Sequence, residues 1–91
     1  MRTVYVRVEG RVQGVGYRAW AETTAQSIGL TGWVRNRHDG AVEMLLHGPP
    51  EQVEDMLRRC GRGPLHAQVT KVEIVADGVG SYRSFDVLPD A

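Results

Sequence analysis

Cysteine, lysine and phenylalanine each occur once in this chain of 91 residues, the formal net charge is zero, and no long apolar run is present. The lone Cys60 cannot close an intrachain disulfide. Without a stretch of about 20 apolar residues there is no candidate membrane-spanning helix. Met1-Arg2-Thr3 leads straight into alternating residues, not into the apolar run of a secretory signal, so the cytoplasm is the expected compartment. Eleven Lys+Arg balance eleven Asp+Glu, which excludes capture of nucleic acid or anionic lipid by bulk attraction. Neither a nucleic acid nor a membrane is therefore an expected partner, and any anion site must be local. His38, His47 and His66 are dispersed without the paired spacing of a zinc site, so no metal and no cofactor are expected.

What is present suits one small globular domain spanning 1–91, with 42% hydrophobic and 24% charged residues. From Thr3 to Glu9, Val4, Val6 and Val8 alternate with Tyr5, Arg7 and Glu9, the period of a strand covered on one face. Gly14 and Gly16 break that pattern. Tyr17, Trp20, Ala21, Thr24 and Ile28 then recur at helical spacing, with Gly29 placed to end the helix. Gly32 to Arg37 predicts a second strand, Asp39-Gly40 a hairpin turn, and Ala41 to His47 a third strand. Val53, Met56, Leu57 and Cys60 form the apolar stripe of a second helix, in which Glu54 stands four residues before Arg58 and Asp55 four before Arg59. A fourth strand is expected over 72–77, with Val72, Ile74 and Ala76 alternating against Glu73, Val75 and Asp77, and a short fifth over Ser84 to Leu88. Trp20 and Trp33 are expected to anchor the helix–sheet core.

The resulting order, βαββαβ plus a short C-terminal strand, predicts an α+β ferredoxin-like two-layer sandwich with two helices on one face of an antiparallel sheet. In that topology the first two strands run parallel with the third between them, so their C-terminal ends lie together. The glycine loop after strand one then approaches Val34-Arg35-Asn36-Arg37 at the end of strand two. Gly14 and Gly16 can adopt backbone angles closed to other residues, and a helix starting near Tyr17 leaves its first N–H groups without intrahelical partners. Together these make an anion nest, with Arg18 in the first turn positioned to close over a phosphate. From spacing alone, a tight strand-to-helix turn with a solvated Arg18 is an equal alternative. The loop lacks the Lys-[Ser/Thr] ending of a nucleotide P-loop and the third glycine of a dinucleotide fingerprint.

Gly10-Arg11-Val12-Gln13-Gly14-Val15-Gly16-Tyr17-Arg18 resembles the first signature of the acylphosphatases, and Gly32-Trp33-Val34-Arg35-Asn36 with Asp39-Gly40 resembles the second. The likeness extends over essentially the whole chain. Ala67-Gln68-Val69 departs from it, standing where relatives commonly carry Ala-Arg-Val. The resemblance implies metal-independent hydrolysis of acyl phosphates to a carboxylate and inorganic phosphate. It implies that Arg18 grips the phosphoryl group with the amides of Gln13, Gly14, Val15, Gly16, Tyr17 and Arg18, and that Asn36 holds the attacking water. A monomer is expected. Two other readings compete with it: a non-catalytic module like the acylphosphatase-related domain of hydrogenase-maturation carbamoyltransferases, and an RNA-binding sandwich of the same fold. The first is expected to sit within a much longer chain; the second needs an aromatic pair on the central strands and a basic face. Cys60 is expected to be a buried packing residue.

Overall fold

The computed structural model describes residues 1–91. Its elements run β1 (Arg2–Arg11), α1 (Tyr17–Ser27), β2 (Thr31–Asn36), β3 (Val42–Gly48), α2 (Pro50–Cys60), β4 (Gln68–Asp77) and β5 (Phe85–Val87). The strands form one sheet in the order β4-β1-β3-β2-β5, and both helices lie over the same face. No helix is long and apolar enough to cross a membrane.

β3 pairs antiparallel with β1 on one side and with β2 on the other, so β1 and β2 are parallel, as the topology requires. Val42 is opposite Val8 in one ladder and Asn36 in the other. That register brings the ends of β1 and β2 to within two strand spacings, about 10 Å, although their residues are far apart in sequence. The sheet is not wholly antiparallel: β5 pairs in parallel with β2, from Gly32↔Phe85 to Val34↔Val87. The cause is the connection from β4, which leaves one edge of the sheet and reaches the other across the face away from the helices. Gly78 passes against Thr3 and Tyr5, and the Tyr82 ring lies 5.8 Å from that of His47.

The alternation read from the sequence puts Val4, Val6 and Val8 of β1, Val34 of β2, and Met44 and Leu46 of β3 beneath the helices. Tyr17, Ala21 and Ala25 of α1 and Val53, Met56 and Cys60 of α2 complete this core. Cys60 is fully buried, and burial pushes its thiol up to about 12, leaving it protonated and packed near Met44. Trp33 is not part of the helix–sheet core. It is the neighbour of Val34, so the pleat turns it to the opposite face, where it and Tyr5 flank fully buried Leu45 with ring centroids 6.3 Å apart. Trp20 packs beside Tyr17 at the flank of α1 and is only partly buried.

β4 starts earlier than its alternation suggested and does not present a clean inner face. Its ladder with β1 shifts register between Tyr5/Val6 and between Glu9/Gly10, leaving Val75 and Thr70 as extra residues. Each shift reverses which side chains face inward, and at this edge Ile74 and Val75 remain 42% and 49% exposed. Gln68 opens this strand opposite Arg11. In α2, Asp55 bonds Arg59 as expected, but Glu54 turns to Arg2 of β1 at 2.6 Å, leaving Arg58 to Asp55.

Candidate active site

The two helices begin very differently. α2 opens with Pro50, carries Glu51 in its first turn and Arg58 and Arg59 in its last, so its own side chains oppose both ends of its dipole. α1 has no side-chain cap and no acidic residue in its first turn; its N-cap is Gly16, held in the left-handed region at φ 80°, ψ 20°. Gly14, two residues earlier, is also left-handed at φ 73°. These angles turn the peptide N–H groups away from the partners that a regular strand or helix would supply. The first amide after β1 with a backbone acceptor is that of Trp20, which donates to Gly16 O at 3.0 Å. The N–H groups from Gln13 through Ala19 donate to no protein group.

This run of amides borders a cavity of about 330 Å³ lined by Val12, Gln13, Gly14, Gly16, Tyr17, Arg18, Ala19, Glu22, Asn36 and Val87. Arg18 and Asn36, the two side chains singled out from the sequence, therefore share one wall system. Asn36 occupies the helix-facing side of β2 in line with Gly32 and Val34, where the period of two calls for an apolar residue. It is 8% exposed, and its side-chain amide makes no hydrogen bond within the protein. A polar group placed on the core face and left open to a cavity is one positioned to act on something inside it.

Gln13 plays a part that its place in the loop did not reveal. Its side-chain Nε2 donates to Arg37 O at 2.8 Å and Ala41 O at 2.9 Å, tying the glycine loop to the turn that follows Asn36. The Gln13 main-chain N–H is then its one free donor. Val15 does not line the cavity; its side chain packs against the core and orients the loop from behind. Tyr17 is buried, donates its hydroxyl to Cys60 O at 2.8 Å, and so fixes the start of α1 to the end of α2. Burial holds that hydroxyl protonated well above the ordinary tyrosine range.

Arg18 already has a partner. Its guanidinium donates to Asp90 Oδ1 at 3.0 Å. Asp90 arrives because the residues after β5 continue along β2: Leu88 N–H donates to Val34 O, Ala91 N–H to Asn36 O, and His38 N–H to Ala91 O. Sequence reading could not find this contact, since it depends on the C-terminal segment docking beside β2. Glu22 was also missed, although its position four residues after Arg18 puts both on one face of α1.

A ferredoxin-like sandwich with an uncapped helix start, a glycine nest and a guanidinium around one cavity has the arrangement that suits an anion such as a phosphoryl group. The acylphosphatase family model matches residues 4–87. An acylphosphatase of Rhodospirillum rubrum is 53% identical over 89 residues, covering 98% of each chain. Among solved structures, an acylphosphatase from Bacillus subtilis aligns with a TM-score of 0.92 at 31% identity, over 97% of this chain and 99% of that one. One from Coxiella burnetii aligns at 0.91 with 32% identity, over 96% and 92%. The chain belongs to the acylphosphatase family, and its substrate is a small acyl phosphate.

Proposed function

We propose that the hydrolysis is carried by Arg18, the main-chain amides from Gln13 to Arg18, and Asn36. The observation that carries this reading is the run of unpaired N–H groups at the uncapped start of α1, facing the cavity that Asn36 shares. The amides and Arg18 bind the phosphoryl oxygens, with Asp90 giving way to the incoming anion. The Asn36 amide holds a water in line with the bond to be broken. Water oxygen bonds to phosphorus, the phosphorus–oxygen bond to the acyl group breaks, and its electron pair leaves with the carboxylate. The water proton passes to a phosphoryl oxygen, so the products are a carboxylate and inorganic phosphate. Because a carboxylate is a good leaving group, positioning and charge stabilisation are the main demands, and the residues present supply both.

Phosphate release from benzoyl phosphate in the presence of a chelator, with a phosphomonoester as control, tests the reaction. Arg18→Ala is expected to lose roughly 100- to 1000-fold in rate, as removal of one preorganised donor to a developing charge does. Asn36→Ala is expected to lower kcat with a much smaller change in inhibition by inorganic phosphate, because it acts on the nucleophile. Near-native turnover by Arg18→Ala would sink the assignment. A monomer is the proposed active form, and the lone buried thiol of Cys60 suits the cytoplasm. Sedimentation of the active enzyme checks the first of these.

A further inference from the structure

Beyond the phosphoryl end, the cavity has a second charged group. Glu22 lies one turn of α1 past Arg18, about 6 Å further along the helix axis, and is half-buried in the wall. It does not neutralise Arg18, which is bonded to Asp90 instead, and no other cation lines the cavity. The cavity wall also carries Val12, Ala19 and Val87, and Glu22 is its one carboxylate.

A phosphoryl group held by the loop amides and Arg18 leaves its attached acyl group to extend into the remaining space. The lining of the cavity outside the nest, Arg18 and Asn36 includes Val12, Ala19, Val87 and Glu22. The phosphate's own charge is met by the nest and the guanidinium. A charge on the acyl group would meet Glu22, the one carboxylate lining the cavity.

We infer that Glu22 sets substrate choice by the charge of the acyl group: acyl phosphates with a neutral or cationic acyl part are accepted, and those bearing a further carboxylate are disfavoured. This rests on the reading of the Arg18 site given above. Two like charges about 7 Å apart in a partly solvated cleft lower kcat/KM for the doubly charged substrate by ~3- to 10-fold relative to an uncharged one. Glu22 takes no part in bond making, so its effect is on selection between substrates.

The test compares benzoyl phosphate, with a neutral acyl group, against succinyl phosphate, which carries a carboxylate. Native protein, Glu22→Gln and Glu22→Lys are assayed at low salt and at about 0.5 M salt, where screening shortens charge interactions to a few ångströms. Glutamine and lysine are both good helix formers, so α1 is retained. The ratio of kcat/KM for succinyl over benzoyl phosphate is expected to rise ~3- to 10-fold in Glu22→Gln, further in Glu22→Lys, and both gains to shrink at high salt. A ratio identical in all three proteins, with benzoyl phosphate still hydrolysed, would overturn the selectivity role alone. An equal loss on both substrates would overturn it too, by making Glu22 part of the phosphoryl site. Native-like turnover of both substrates by Arg18→Ala would instead bring down the site reading underneath.

Discussion

Gln13 is the point at which loop shape and catalytic geometry are tied together, and its replacement by alanine gives a sharp test. The side-chain amide spans from the glycine loop to two carbonyls, Arg37 O at 2.8 Å and Ala41 O at 2.9 Å. Each acceptor also has a main-chain donor: Gly40 N–H reaches Arg37 O and Arg37 N–H reaches Ala41 O. Neither carbonyl is thus orphaned by the truncation, and the loss is that of two ordinary hydrogen bonds, together about 1–2 kcal/mol. For a domain of this size that corresponds to a fall in Tm of roughly 4–15 °C. Function should suffer beyond stability, because the nest amides lose their fixed distance from Asn36. Thermal unfolding by circular dichroism, paired with inhibition by inorganic phosphate well below Tm, separates the two effects. Gln13→Ala should melt lower and bind phosphate more weakly at a temperature where it remains fully folded. Unchanged phosphate inhibition would refute the view that this side chain sets the shape of the anion site, and an unchanged Tm would refute the hydrogen-bond count.

Gly32→Ala and Gly14→Ala should behave oppositely although both glycines have positive φ. A Cβ at Gly32 would sit 1.9 Å from Leu45 O within the β2–β3 ladder, so denaturant titration should show a loss on the order of 3 kcal/mol or more. A Cβ at Gly14 meets nothing within 4 Å, leaving only the left-handed backbone cost of about 1–2 kcal/mol, with the larger effect appearing in phosphate affinity. Asp39 accepts from the Arg7 guanidinium and the Ala41 N–H, which hold its carboxyl below the usual carboxylate range. That stabilisation is present above the unfolded value and disappears as pH falls through the lowered one. Asp39→Asn should therefore melt below the native protein at neutral pH, with the gap closing under about pH 3.8. Asp90→Asn keeps an acceptor for Arg18 but removes a negative charge from the mouth of the site. At low salt it should tighten inhibition by phosphate about two- to five-fold while changing stability by less than about 0.5 kcal/mol, since the pair is solvent-exposed; weaker inhibition would contradict the competition between Asp90 and phosphate.

Much of the architecture is legible in the sequence because small β-rich domains leave little freedom. Val4, Val6 and Val8 could only be the covered face of a strand, and the helical crossover from β1 to β2 forces the two C-terminal ends together. The β4 alternation misled because bulges change its phase, and a bulge leaves no mark in a period count. Trp33 misled for a different reason. Its size argues for burial, but strand parity next to Val34 decides its face, and parity was the better guide. The Arg18–Asp90 contact lay beyond reach because it follows from three hydrogen bonds between the C-terminal segment and the β2 region, including the turn after it. Those bonds are main-chain and carry no residue signature.

The same comparison explains why the site stands out in the fold. Most local choices in this chain agree with their surroundings: α2 is charged to suit its dipole, fully buried side-chain polar atoms have partners, and the sheet's helix-facing side is apolar apart from Asn36. The agreement fails at one place. α1 starts with no acidic residue in its first turn, puts a cation where its dipole is already positive, and faces an amide side chain on a core position of β2. Each of these departures lowers the stability of the empty protein, and a bound dianion reverses the first two at once by accepting from the exposed amides and pairing with Arg18. In the proposed reaction the third is met by a water beside that anion. A single ligand class, an anion with room for a water at its side, would therefore answer all three departures at once, which is the physical ground for assigning the glycine loop and Asn36 to one proposed site.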